Sequence, residues 1–139
     1  MAAQVQDVVR DALGHLGVVD ANNPVREIDM RDGIRALNLM MRAWETDGVA
    51  MGWSDVNNPT DPLPAPPEAE EAIGYNLAVR LRARYRIAID PDVIALARDG
   101  LATLSAQLQA VTYERTEYPD LPAGVRGIGY GWRSGYYGR

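Results

Sequence analysis

The sequence predicts an all-α protein: a four-helix bundle with a proline-rich loop and an extended C-terminal arm. Three observations lead to this prediction. Apolar residues recur at helical spacing in four separate segments before residue 112. Five prolines between residues 59 and 67 exclude a helix there. From residue 121 onward, the chain is rich in glycine and aromatic residues and has no apolar periodicity.

The first two helices are predicted on either side of a polar loop. The first covers about residues 3–16, and Gly17 is its stop. Asp29 is the predicted N-cap of the second helix, because short polar side chains favour that position, and Gly48 ends the helix. The predicted core positions of these two helices are Val5, Val8, Val9, Ala12, Leu13, Leu16, Ile34, Leu37, Met40, Met41 and Trp44.

The third and fourth helices are predicted after the prolines, and residues 49–53 before them are predicted to be extended. Pro67 starts the third helix, with acidic residues in its first turn, and the helix runs to about Ile87. Asp90 and Pro91 start the fourth helix, which reaches about Val111. Their predicted core positions are Ile73, Leu77, Leu81, Val93, Ala97, Leu101, Leu104, Leu108 and Val111.

The distribution of charge agrees with this division of the 139 residues, whose net charge is −5. Residues 1–110 carry 10 Arg and 16 acidic residues, a net charge of −6, whereas residues 111–139 carry 4 Arg and 3 acidic residues, a net charge of +1. We predict a helical body over residues 1–112 and an arm over residues 113–139. Such an arm cannot form its own core, so its aromatic side chains need a partner that covers them.

Composition excludes several classes of chemistry. The chain has no Cys, one His and no Lys, which excludes cysteine-ligated zinc, histidine-cluster metal sites and Schiff-base catalysis. We therefore predict no cofactor and no metal. No apolar run approaches the ~20 residues of a membrane span, and the first residues lack the features of a secretory signal. The chain is expected in the cytoplasm or in an assembly built there.

No residue is predicted to be catalytic. Glu68, Glu70 and Glu71 could form the acid pair of a glycoside hydrolase, but acids at a helix start complement the helix dipole. His15 could act as a general base. It also lies near the C-terminus of the first helix, where a histidine interacts favourably with the helix dipole. We favour the structural interpretation in both cases.

Four arginines cluster at the end of the third helix. Arg80 and Arg84 share one face, and Arg82 and Arg86 share another. The cluster is either a solvated surface with ion pairs or a contact with acidic residues of a neighbouring copy. Trp53, in the loop near the prolines, is a further candidate for an interface.

The arm has two possible roles. Arginine, glycine and aromatic residues suit single-stranded nucleic acid binding, and they also suit an arm that folds onto a protein partner. The arm has only three positive charges after Leu121 and follows an acidic body. The sequence therefore favours the protein partner.

Four strings of residues, in this order and spacing, resemble the head-to-tail adaptor proteins of short-tailed phages, also called tail accessory or head-completion factors. The strings are Leu13–Gly17, Leu39–Gly48, Ala72–Leu81 and Tyr118–Gly124. The resemblance covers about residues 5–124 and does not extend to the last 15 residues. It implies a structural virion protein in the neck between head and tail, which assembles in the host cytoplasm.

The resemblance also implies partners. Subunits of this family form a twelve-membered ring beneath the portal protein, extend the DNA channel, help to retain the packaged genome and offer a docking platform to tail hub or nozzle proteins. Genomic DNA would pass without specific binding. The arm would bind the portal. In such a ring, the arginine cluster and Trp53 are our own candidates for contacts with neighbouring subunits. The expected portal-binding residues are Tyr113, Tyr118, Arg126, Tyr130, Trp132, Arg133, Tyr136, Tyr137 and Arg139.

Two alternatives stay open. One is a small nucleic-acid-binding protein that uses the arm. The other, which is less favoured, is a peptidoglycan hydrolase, since some family members are linked to that activity. No residue of this sequence matches a catalytic motif to which the activity could be assigned.

Overall fold

The computed structural model describes residues 2–116 and confirms the all-α prediction. It contains α1 (Val5–His15), α2 (Glu27–Thr46), α3 (Glu70–Tyr85) and α4 (Pro91–Thr116), with a 3-10 turn (Pro67–Ala69) before α3. The chain divides into two units between Gln109 and Ala110, and all packing described below lies in the first. The predicted arm lies outside the described residues, except for the last turn of α4. None of the described helices is both long and apolar enough to cross a bilayer.

The proline-rich loop closes the start of α1. The carbonyl groups of Asp61 and Pro59 accept hydrogen bonds from the amides of Val5 and Gln6, at 3.0 and 2.8 Å. These amides belong to the first helical turn, which has no partners for them inside the helix. The loop therefore serves as the cap of α1, a role that its prolines permit because they need only supply carbonyl oxygens.

The N-cap predicted for α2 is wrong. The helix starts at Glu27 with Arg26 in the N-cap position, so Asp29 lies inside the first turn. Asp29 does not cap because its carboxylate faces the interior, where it accepts hydrogen bonds from the side chains of Arg26 and Tyr85. The predicted end is correct, since α2 stops at Thr46 and Gly48 adopts the left-handed conformation at φ 95°.

The extended segment predicted at residues 49–53 does not belong to a strand. Within residues 2–116, the only β-type pairs are two isolated bridges, Gln4 with Pro62 and Asp20 with Asn23. Residues 49–66 instead form a loop that inserts Val49, Val56 and Leu63 into the core. Strand pairing needs a neighbouring extended backbone with free donors, whereas Val49 and Trp53 donate to Trp44 and Asn38 of α2.

The core forms where α1, α2 and α3 pack against one another. Every apolar position that the sequence predicted for these three helices is buried. Helices α1 and α2 approach closely at Gly33, where an added Cβ would lie 2.5 Å from Cγ1 of Val9. Residue 33 is therefore a point of backbone approach that only glycine allows without rearrangement.

Helix α4 is less buried than its regular pattern predicts. Of the predicted core positions, Ala97 and Leu104 are buried, while Val93, Leu101 and Leu108 are only partly buried. Its attachment to α3 has a polar component, since the side-chain amide of Asn76 donates to the carbonyl oxygen of Ala97 at 2.9 Å. The predicted start is confirmed, because the Asp90 carboxylate accepts from the amide of Asp92 at 3.0 Å. The helix ends at Thr116, beyond the predicted end, and the side chain of Val111 lies outside the described part.

Candidate functional site

All four arginines predicted to form a basic cluster are exposed at the C-terminal end of α3. Arg84 forms an ion pair with Asp32 of α2, with 2.7 Å between Nη2 and Oδ2. Within residues 2–109, whose side chains the structure describes, no acidic group pairs with Arg80, Arg82 or Arg86. The structure thus distinguishes Arg84, which links α3 to α2, from the other three arginines, which are available to a partner.

Arg86 ends α3 in an unusual backbone conformation. Its φ of 54° and ψ of 40° lie in the left-handed region, which disfavours side chains other than glycine by roughly 1–2 kcal/mol. The amide of Ile87 donates back to the carbonyl oxygen of Arg82 at 3.2 Å, the bond that closes a helix in this way. As a result, the Arg86 side chain leaves the helix in a different direction from its neighbours.

Trp53 is part of the fold. Its indole N–H donates to Oδ1 of Asn38 at 3.3 Å, and its ring packs partly buried against the core. Asn38 also bonds both backbone groups of Val56, at 3.1 Å to the amide and 2.8 Å to the carbonyl oxygen. Asn38 therefore pins the loop to α2. A single Asn in an amphipathic helix carries no sequence signal for this role.

A buried polar junction joins the start of α2 to the end of α3. Asp29 is only 5% exposed and accepts from Nε of Arg26 and the hydroxyl of Tyr85, both at 2.8 Å. The hydrogen bond from Arg26 holds the pKa of Asp29 below its usual value, against the opposing effect of burial. Burial and the bond to Asp29 raise the pKa of Tyr85 to about 12. The two residues are far apart in sequence, so no local pattern indicates the pair.

The acidic residues considered for catalysis lie at the start of α3, as the dipole interpretation requires. Glu68 and Glu71 are exposed and Glu70 is half-buried. A carboxylic acid that donates a proton near neutral pH needs a desolvated environment, which an exposed first turn does not offer.

His15 stacks on Tyr75 with 4.4 Å between ring centroids and lines an open groove with Glu70 and Glu71. Among the described side chains of residues 2–109, no group of acids and histidines is arranged to hold a metal ion.

The residues predicted to bind the portal lie beyond the described side chains. The backbone of Tyr113 belongs to the last part of α4. Tyr118, Arg126, Tyr130, Trp132, Arg133, Tyr136, Tyr137 and Arg139 all lie outside the described residues. Of the predicted subunit-contact residues, the structure places the four arginines at the end of α3 and Trp53 in the loop beside Asn38.

A second exposed group of arginines escaped the sequence analysis. Arg31 and Arg35 lie one turn apart on the outer face of α2, and neither has an acidic partner within the described range. The signal was present in the sequence as an i, i+4 pair. It was overlooked because the four arginines of α3 are more closely spaced.

Comparison with known protein families gives one result that covers almost the whole chain. Residues 2–133 match the family described as P22 tail accessory factor. The match includes the helical body and most of the C-terminal region. The comparison with individual curated proteins found no match.

Proposed function

Because this chain belongs to the P22 tail accessory factor family, we propose that it is the adaptor that joins the head of a short-tailed phage to its tail. Family membership establishes a structural, tail-related role in the virion. The proposal adds the position beneath the portal, the ring of twelve subunits and the platform for distal tail proteins. The observation that carries it is the family match over residues 2–133.

The charge of the body suits a subunit that surrounds a DNA channel. Residues 1–110 have a net charge of −6, and a wall of like charge repels DNA. We propose that such a wall lets the genome pass during ejection without specific binding, while the closed ring helps to retain it before ejection. The alternative, nucleic acid binding by the arm, would require the three arginines after Leu121 to overcome this repulsion.

We propose that the arm holds the subunit on the portal. Aromatic and arginine side chains dominate the energetics of protein interfaces because they bury large areas at low entropic cost. Six of the ten aromatic residues of the chain follow residue 112. The glycines between them allow the backbone to approach a groove or a sheet edge closely.

We propose that Arg80, Arg82 and Arg86 contact a neighbouring subunit. They are exposed and have no acidic partner among the described side chains of residues 2–109, which supports this role. The ion pair of Arg84 with Asp32 and the hydrogen bond of Trp53 to Asn38 give those two residues roles inside one subunit. The proposed subunit contact therefore rests on the other three arginines.

Binding of the full-length chain to its purified portal tests the proposal. We expect Trp132→Ala to weaken binding by roughly 2 kcal/mol if that side chain fills a pocket on the portal, whereas the neighbouring Ser134→Ala should have little effect. A salt titration with a single-stranded oligonucleotide separates the alternative function, since nucleic acid binding weakens steeply with salt. Tight oligonucleotide binding without portal binding would contradict the proposal.

A further inference from the structure

One face of α2 is exposed along its whole length and combines apolar with basic side chains. Ile28, Arg31, Arg35 and Leu39 follow one another at intervals of three and four residues, so they form a single stripe opposite the buried side. We call this stripe the α2 ridge. Ile28 and Leu39 are 51% and 50% exposed, two of the three most exposed large apolar side chains among the described residues.

The charges of the α2 ridge are not balanced within the subunit. Arg42, one turn further along the helix, pairs with Asp55 of the loop, but Arg31 and Arg35 have no such partner in the described range. Like charges four residues apart on a helix repel each other. An acidic surface placed against them would remove this repulsion and cover the two apolar side chains.

The same subunit has a surface of the opposite character. Glu68, Glu71 and Asp99 line a groove between α3 and α4, and the third exposed apolar residue, Leu96 at 45%, lies in its wall. We call these four residues the acidic groove. A neighbouring groove adds Asp11 and Glu70 from the α1 side. No arginine lines either groove, and neither contains a residue of α2.

We propose that the α2 ridge of one copy of this chain docks on the acidic groove of the next copy. Arg31 and Arg35 meet the carboxylates of Glu68, Glu71 and Asp99, and the apolar side chains of the ridge cover Leu96. Because the two surfaces belong to different helices, the contact is head to tail and repeats from copy to copy, as a closed ring requires. The inference rests on the proposed ring and identifies a contact in addition to that of Arg80, Arg82 and Arg86.

Complementary charge reversal tests this contact directly. We expect Arg31→Glu with Arg35→Glu to weaken self-association about tenfold, and Glu68→Arg with Glu71→Arg to do the same. In an equimolar mixture, the reversed ridge of the first variant can meet the reversed groove of the second, and the unchanged ridge of the second can meet the unchanged groove of the first. The mixture should therefore regain the association of the unchanged chain. Sedimentation velocity at high protein concentration measures this, and circular dichroism confirms that both variants are folded. Failure of the mixture to associate would overturn the proposal.

Cross-linking provides a second measurement that does not depend on charge. The chain has no Cys, so Leu39→Cys in one chain and Leu96→Cys in another introduce single reactive sites. A short bis-maleimide should join these two chains, while Asn22→Cys, in an exposed loop, should not react with Leu96→Cys. Equal yields from both pairs would overturn the proposed contact.

Portal binding separates this inference from the proposed function. If the unchanged chain binds its portal but the charge-reversed mixture does not recover association, the α2 contact is wrong and the adaptor role stands. If the mixture recovers association but no chain binds the portal, the contact is correct and the adaptor role is wrong. Charge reversal at the exposed Glu45, which belongs to neither the α2 ridge nor the acidic groove, is the matched control and should leave self-association unchanged.

Discussion

Asp29 is the one charged residue that is buried within the described part of the chain. Its carboxylate joins two helices through Arg26 and Tyr85. Because its pKa is lowered in the folded protein, the ionised form stabilises the fold above the unfolded pKa of about 4, and this stabilisation is lost as the pH falls through the folded value. Local spacing identified Asp29 only as a cap, since the partner that turns it inward lies on another helix.

We predict that replacing Asp29 with Asn reduces the acid sensitivity of the fold. The substitution should lower the free energy of unfolding at pH 6 by about 1–2 kcal/mol. This value is at the lower end of the range for hydrogen bonds to charged groups, because solvent screens the exposed Arg26. Between pH 5 and pH 3, the variant should then lose less stability than the unchanged protein. Urea unfolding at several pH values measures both effects, with Glu45→Gln on the exposed side of α2 as control. Parallel pH profiles for the variant and the unchanged protein would contradict the assignment.

Asn38 gives a second prediction at the scale of one side chain. Asn38→Ala removes the bonds to Trp53 and to both backbone groups of Val56, and it should cost about 2 kcal/mol because the backbone groups lose their partner. Hydrogen exchange at the Val56 amide should accelerate more than exchange within α1. The exposed Asn57→Ala is the control. Unchanged protection at Val56 would show that the loop is held by other contacts.

Helices α1 and α2 pack closely because residue 33 has no side chain. We predict that Gly33→Ala destabilises the protein by about 1–3 kcal/mol, since the new methyl group would collide with Val9. Gly74→Ala is the matched control: no atom lies within 4 Å of its new Cβ, and alanine favours a helix by about 1 kcal/mol. In thermal or urea unfolding, the free energy of unfolding should therefore decrease for Gly33→Ala and increase for Gly74→Ala. A stabilising Gly33→Ala would contradict the close packing.

At this scale, periodicity predicted the existence of all four helices and the core faces of α1, α2 and α3. The same rule failed for α4, where a regular apolar stripe is only partly buried. Periodicity reports that a helix has an apolar side, but it does not report how much surface the neighbouring elements can cover. The short extended segment predicted at residues 49–53 belongs to a loop that a backbone bond from Val49 to α2 and the side chain of Asn38 hold in place.

The whole molecule combines a helical body with a C-terminal region whose composition is suited to a partner. We predict that deletion of residues 117–139 leaves a folded body, because every buried side chain of the described core lies before Gln109 and the deletion preserves α4. The same deletion should abolish or greatly weaken portal binding. Circular dichroism measures the first effect and co-sedimentation with the portal the second. A truncated chain that binds the portal as tightly as the full chain would remove the arm from the interface.

Of the candidate interaction residues, the sequence located the arginines of α3 but could not tell Arg84 from its neighbours. Its ion pair with Asp32 spans two helices, and such a contact depends on tertiary packing. The α2 ridge and the acidic groove became recognisable only when exposure was known. The proposal of a portal partner rests on the order of residue strings, and the family match supports only a tail-related role in the virion.

The mass of the purified chain, alone and with its portal, tests the adaptor role most directly. We expect the free chain to be mainly monomeric at low concentration, because the lateral contacts that we propose are surface ion pairs, which are weak. On the portal, the local concentration of subunits makes such contacts sufficient, so native mass spectrometry should show a closed ring of twelve chains bound to the portal. A mixture in which the masses of chain and portal stay unchanged would contradict the account.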